Sequence, residues 1–212
     1  MEALNFKETR KLLLKYKISF CKTELVKSKK EAINTAKKIG YPVVLKVSST
    51  VILHKTDIGA VKTDIKNEEE LKHAWDDASE SFKKIQVNIE GVLIQKMIFG
   101  NEIVLGMKRD LQFGSVLMAG LGGIFVEVLK DVSFRITPVG KAEALKMIKE
   151  IKGYKILDGV RGQKPSDIKK ITDIIVSLSE LSMAEEKIKE IDFNPIIANE
   201  RQALVVDARF LV

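Results

Sequence analysis

Asp192, Asn194 and Asp207 are the side chains in this sequence whose types and spacing best suit a hard cation. Within a strand, Asp192 and Asn194 point to one face because side chains alternate with period two. Asp207 on a partner strand would oppose them. Oxygen donors at that separation suit Mg²⁺, which takes few protein ligands and completes its shell with water and phosphate oxygens. The plainer alternative is that these residues only end strands beside Pro195. Phosphate chemistry is suggested elsewhere too. Lys46 is the lone charge in Val43 to Val47. A charge on a buried strand needs an anionic partner, whereas on an edge strand it only discourages aggregation. Lys62 is the single lysine of a second strand-like run, Gly59 to Asp64. Gly120-Leu121-Gly122-Gly123 frees the backbone for positive φ and lets its N–H groups approach a ligand. Arg135 adds a fork of donors matched to phosphate oxygens. The same stretch also reads as a tight glycine hairpin with Arg135 in a surface ion pair. As a set, these groups favour a Mg-nucleotide site. His54, followed by Lys55-Thr56-Asp57, is a lone loop histidine, a type that is most often structural.

The totals narrow the field. A chain of 212 residues can bury a real core, as one domain or as two small lobes. No apolar run is long enough to span a bilayer and no signal peptide is recognisable, which points to a cytoplasmic protein with no membrane partner. One cysteine, Cys21, excludes an internal disulfide and any cysteine-based metal cage. The net charge of +7 favours anionic partners, among them nucleotides, coenzyme A and nucleic acid.

These residues need elements to hold them. Phe6 to Tyr16 predicts a short helix. Ser28 with Glu31 forms a capping box before a helix that Gly40 ends, and Pro42 then launches the Lys46 strand. Asn67 caps a helix with Leu71, Ala74, Trp75, Ala78 and Phe82 on one face, and Gly91 to Ile98 is a strand. Three β-rich runs, Ile103 to Met107, Ser115 to Ala119 and Ile124 to Leu129, predict an antiparallel meander. A helix over Lys141 to Ile151 and a glycine-rich loop over Gly153 to Gly162, carrying Arg161, come next. Ser166 is expected to cap the longest helix, and Ile188 to Phe193 with Ala203 to Ala208 close the chain as two strands. The class is α+β.

The order PVVLK, ILHKTDIGAVK, GVLIQKM, EIVLGMKRDLQFG, GLGGIFVEVLKDVSFRITP, EIDFNP and VVDAR resembles the β subunits of ADP-forming acetyl-CoA synthetases. These form an ATP-grasp family of the acyl-CoA synthetase superfamily, and the likeness covers nearly the whole chain. It implies an ATP-grasp fold whose two lobes clamp ADP or ATP with Mg²⁺. It divides the chain into an N-terminal helix (1–20), a first lobe (21–97) and a second lobe with the Mg-nucleotide site (98–212).

By the same resemblance, Lys46 would hold the α or β phosphate, with Lys62 nearby. Gln95, Lys96 and Met97 would form the hinge strand whose backbone reads adenine, with no particular side chain needed, and Glu102 would sit near the ribose or phosphates. Gly122, Gly123 and Arg135 would line the phosphoryl path. Asn194 and Asp207 would bind Mg²⁺, and Asp192 would support the histidine chemistry. His54 would carry a phosphoryl group, since imidazole is a good nucleophile at neutral pH and its phosphoramidate keeps a high transfer potential. Val51 stands where an acidic residue is usual, and Ala60 where glycine is usual. No glycine-rich fingerprint for coenzyme A is present, which implies an α partner that binds most of the coenzyme A, in an α₂β₂ heterotetramer. Two alternatives remain at this level: an ATP-grasp carboxylate ligase that needs no phosphohistidine, and a basic nucleic-acid-binding protein.

Overall fold

The computed structural model describes residues 1–49, 61–85, 89–160 and 162–212; for residues 81–85, Ile124 and Glu127 the backbone alone is described. The chain divides into two compact units, residues 21–98 and residues 1–20 with 99–212. The N-terminal helix therefore belongs to the larger unit and does not stand by itself.

Helix α1, Phe6–Lys15, opens with a reciprocal capping box: Asn5 Oδ1 accepts from Glu8 N–H at 3.0 Å, and Glu8 Oε2 accepts from Asn5 N–H at 2.9 Å. The chain then enters the smaller unit through β1 (Thr23–Val26), α2 (Lys29–Ile39), β2 (Val43–Ser48), β3 (Val61–Ile65), α3 (Glu68–Ile85) and β4 (Gly91–Lys96). Ser28 caps α2 through Glu31 N–H, yet Glu31 turns its carboxylate to Lys27 N–H, so the box predicted there is half made. The sheet order is β1-β4-β2-β3, all antiparallel. Val43, Leu45, Val92 and Ile94 share one face and form a core with Ala32, Ala36, Leu71 and Ala78 of the two helices.

The larger unit resumes with β5 (Asn101–Asp110), β6 (Gly114–Leu121), α4 (Ile124–Glu127), β7 (Val132–Ile136), α5 (Lys141–Lys149), α6 (Tyr154–Leu157), α7 (Ile168–Ala184), β8 (Glu190–Ala198), β9 (Ala203–Val205) and β10 (Ala208–Leu211). The meander holds for its first two strands. The third run is a single helical turn, α4, and the third strand is β7, further along. A short apolar run reads equally as strand or buried helix, and the turn at Gly123 settles it, with Val126 N–H bonding to Gly123 O at 3.2 Å.

Two other boundaries shift. Asp167, not Ser166, caps α7, accepting from Lys170 N–H, while Ser166 is buried and donates to Ala198 O at 3.3 Å. The glycine-rich loop contains α6, and the longest helix is α3 rather than α7.

The larger sheet runs β10-β8-β5-β6-β7, with β9 also on β8. Ile103, Leu105, Met107, Leu117, Ala119, Ile191 and Phe193 face a core built with Met147 and Ile148 of α5 and Ile171, Ile174, Ile175, Leu178 and Leu181 of α7. Alternate residues of the same strands lie on the opposite face. Phe193 and Phe210 meet edge to face at 5.8 Å and lock β10 to β8.

Candidate functional site

The outer edge of β8 is covered in two pieces, by β10 along residues 190–193 and by β9 along 196–198. Asp207 lies where one piece gives way to the other. Its carbonyl accepts from Asn194 N–H at 3.2 Å, and its own N–H reaches Pro195 O at 3.4 Å. On the inner edge, Ile103 pairs with Ile196 and Leu105 with Phe193, so Asn194 and Pro195 together oppose Val104 as a bulge. Because Phe193 and Ala208 pack on the core side, alternation puts Asp192, Asn194 and Asp207 on the other face. The sequence reading that these three converge is therefore met by backbone geometry.

Electrostatics carry the same message. Burial, then the neighbouring Asp207 and Glu190 carboxylates, push Asp192 above the usual carboxylate range, with Arg209 opposing. Two neighbouring carboxylates, with an amide on the same face, are a donor set that suits a hard cation. Among the described residues no cluster of three or more His, Cys, Asp or Glu side chains could hold a metal alone. A site of this kind fits Mg²⁺ sharing its shell with phosphate oxygens rather than a closed protein cage.

Glu102 and the glycine turn form a second cluster on the same sheet. Gly122 N–H donates to Glu102 O at 2.8 Å. A Cβ on Gly122 would lie 2.8 Å from Glu102 Cβ, so any larger residue forces the two apart. Gly123 has φ +61°, the left-handed region that glycine enters without penalty.

Arg135 does not join either cluster. Its neighbour across β6 is Leu117, a core-side residue, so its side chain lies on the helix face. There its Nε donates to Glu143 at 2.6 Å and its Nη2 to Glu150 at 2.7 Å, with Nη1 on Ser133 Oγ and Phe134 O. The ion-pair alternative is what the structure contains, and the placement of Arg135 on a phosphoryl path is corrected. Its face was not legible in advance, because register alone decides it.

In the smaller unit, β2 lies between β4 and β3, so Lys46 is on an interior strand and only 7 % exposed. The edge-strand alternative is removed. Gln95 shares its face, paired opposite Val44 and donating to Thr23 Oγ1 at 2.8 Å. Lys62 pairs opposite Leu45, a core-side residue, and its Nζ reaches Asp77 of α3 at 3.3 Å. The register shift between Val43 and Leu45 puts the two lysines on opposite faces, which corrects the grouping of Lys62 with Lys46. Lys96 spends its ammonium on Gly40 O (2.8 Å) and Tyr41 O (3.0 Å) at the end of α2, a structural position consistent with a hinge whose side chains are not called on. The N–H groups of Lys96 and Met97 bond to Lys22 O and Pro42 O. Cys21 donates to Lys96 O, and burial pushes its thiol up to about 11, so it is no nucleophile at neutral pH. His54, Val51, Ala60 and Arg161 lie outside the described residues.

The sequence matches the ATP-grasp domain family over residues 1–212. It is 46 % identical over 208 residues to the acetate–CoA ligase (ADP-forming) I subunit β of Pyrococcus furiosus, covering 97 % of this chain and 90 % of that one. The chain belongs to the ATP-grasp family of ADP-forming acetate–CoA ligases. Another relative, acetate–CoA ligase (ADP-forming) I of Archaeoglobus fulgidus, is 46 % identical over 86 % of this chain, which spans 27 % of that longer protein. Acetyl-coenzyme A synthetase 1 of Ca. Korarchaeum cryptofilum, solved with coenzyme A, Ca-AMPCP and HgCl⁺, superposes with a TM-score of 0.95 at 41 % identity, covering 100 % of this chain and 93 % of that one. The same protein with coenzyme A and Mg-AMPPCP, its phosphohistidine segment pointing towards the nucleotide binding site, gives 0.86 at 38 % identity over 99 % and 92 %.

The ATP-grasp assignment agrees with the α+β architecture of two antiparallel sheets, each with helices on one face. What the sequence missed within this ATP-grasp fold is the face on which each cation lies. Two neighbours of the acid cluster, Arg209 opposite Asp192 on β10 and Glu190 two residues before it, also went unremarked. Both stand inside the motifs EIDFNP and VVDAR, and alternation from Asp192 and Asp207 puts them on the same face.

Proposed function

We propose that this chain is the nucleotide-binding β subunit of an ADP-forming acyl-CoA synthetase, which converts acyl-CoA, ADP and phosphate to acid, coenzyme A and ATP. The observation that carries the reading is 46 % identity running nearly end to end with a β subunit of that activity. The pairing of Asn194 with Asp207 supports it, because it supplies the donors a Mg-nucleotide needs.

Phosphate displaces coenzyme A from the acyl group, giving an acyl phosphate. A histidine takes the phosphoryl group and releases the acid, and ADP then accepts it to give ATP and free histidine. Asn194 and Asp207 would hold Mg²⁺, and bound Mg²⁺ would supply neutralisation of phosphate charge. Asp192 would orient the histidine in the transfer, a role its position beside the pair allows. Lys46 would hold an α or β phosphate oxygen as a point charge. Glu102 would sit near the ribose or the phosphates, and the Gly122–Gly123 turn beside it would line the phosphoryl path. Gln95 to Met97 would line the adenine. His54 would ferry the phosphoryl group. The partner is an α subunit that binds most of the coenzyme A and forms the acyl phosphate, in an α₂β₂ assembly; the A. fulgidus relative, over three times longer than the matched region, is consistent with both halves on one chain.

The test combines the chain with its α subunit, Mg²⁺ and γ-labelled ATP, beside a His54→Ala variant. Protein-bound label that is acid-labile and base-stable is expected on the wild-type chain and absent from the variant. Equal label on both would remove His54 from the scheme. Failure to form ATP from acetyl-CoA or longer acyl-CoA esters, ADP and phosphate would overturn the function itself.

A further inference from the structure

The open face of the larger sheet carries a guanidinium beside the acid cluster, and it is that of Arg209. Along one row of the sheet, Arg209 opposes Asp192, Asp192 opposes Gly106, Gly106 opposes Met118, and Met118 opposes Phe134. Arg209 follows Asp207 by two residues, so both side chains share a face. Ala208 and Phe210 on either side of it pack on the core side, Phe210 fully buried, which fixes the direction of Arg209 through the strand itself. Gly106 has no side chain, and the end of the Met118 side chain lies 3.5 Å from where its Cβ would be, so the neighbour of Asp192 on that side is an apolar thioether and not a charge. Among the described residues, the Arg209 guanidinium makes no hydrogen bond or ion pair. Arg135, by contrast, spends its donors on Glu143, Glu150, Ser133 and Phe134 on the far side of the sheet.

We propose that Arg209 is the residue that binds the oxygens of the phosphoryl group handled at Asn194 and Asp207, a role that sequence position had suggested for Arg135. The proposal rests on the Mg-nucleotide reading of that pair. The chemistry follows from the fork. A guanidinium cannot lose its proton near neutral pH, presents parallel N–H groups, and matches two oxygens of a terminal phosphate. During transfer to ADP, negative charge spreads over the three oxygens of the moving group, and a cation held rigidly beside them stabilises that state. Arg209 thereby favours the nucleotide that carries the extra phosphate.

Calorimetric titration of the full chain with Mg-ADP and with the non-hydrolysable Mg-AMPPCP decides the matter, for wild type, Arg209→Gln, Arg209→Lys and Arg135→Gln. Arg209→Gln is expected to weaken Mg-AMPPCP by about tenfold or more while leaving Mg-ADP little changed. Arg209→Lys should recover part of the loss, which a merely structural role would not produce, and Arg135→Gln should leave the ratio of the two affinities as in wild type. Equal weakening of both nucleotides by Arg209→Gln, or no weakening at all, would overturn the proposal with the nucleotide site intact. Absence of Mg-nucleotide binding by the wild type would overturn the underlying site as well.

Discussion

Asn194 and Asp207 are held together by backbone hydrogen bonds at a gap between two strands, so either side chain can change without moving the other. This separates chemistry from folding at a single position. Asp207→Asn keeps the size and removes the charge. It is expected to weaken Mg-ADP by about tenfold or more, since a charged oxygen ligand is replaced by a neutral one. Binding of ADP in excess EDTA should not change, and titration with and without Mg²⁺ checks both. Equal weakening in the two conditions would mean that Asp207 shapes the strand gap and does not bind the cation. At this scale much was legible beforehand. Period-two spacing of Asp192 and Asn194 places them on one face of any strand, and Gly122 with Gly123 marks a turn that only glycine makes without displacing Glu102. The face of a charged residue on a strand was not legible. Lys62 and Arg135 both lie one step out of phase with their supposed partners, because a bulge in one case and register in the other decide the side.

Among the elements, long periodic segments could be read and short apolar ones could not. The stripe Ile171, Ile174, Ile175, Leu178 and Leu181 fixes α7 whatever surrounds it, whereas Ile124 to Glu127 is too short for its period to distinguish a turn of helix from a strand. Register supplies the missing information, and it gives Arg135 a job between elements: tying the edge strand β7 to α5. Arg135 holds the Glu143 and Glu150 carboxyls below their usual range, chiefly by hydrogen bonding. Groups depressed in the folded state contribute stability above the ordinary carboxylate range and lose it as pH falls through their lowered values. Arg135→Gln should therefore lower Tm by about 3 °C at neutral pH, with the gap closing as acid protonates both glutamates and as salt screens the pair. Thermal melts of the two proteins across pH and ionic strength measure this. A gap that stays constant into acid would show that Arg135 stabilises through packing alone.

At the scale of the whole molecule, the N-terminal residues belong with the C-terminal ones. Glu2 and Leu4 donate to Val212 O and Phe210 O, Val212 returns a bond to Glu2 O, and Lys15 and Tyr16 both hold Glu185. Leu13 and Ile18, 4 % and 2 % exposed, fill the core that α7 and the larger sheet enclose. Residues 21–98 are thus an insertion between two parts of a single core, with a separate core of their own. Sequence order hid this, since a helix at the start of a chain reads as an appendage to whatever follows it. Separate cores should respond separately to damage. Leu13→Ala removes buried methyl groups from the larger unit, at a cost of about 2–5 kcal/mol, and leaves the smaller core untouched. Hydrogen exchange followed by mass spectrometry on the full chain reads the consequence. Amides of α7, β8 and β10 should exchange faster in Leu13→Ala, while those of β2, β4 and α2 keep wild-type protection. Faster exchange throughout would show one cooperative unit, in which case damage at α1 would also loosen the strand that holds Lys46.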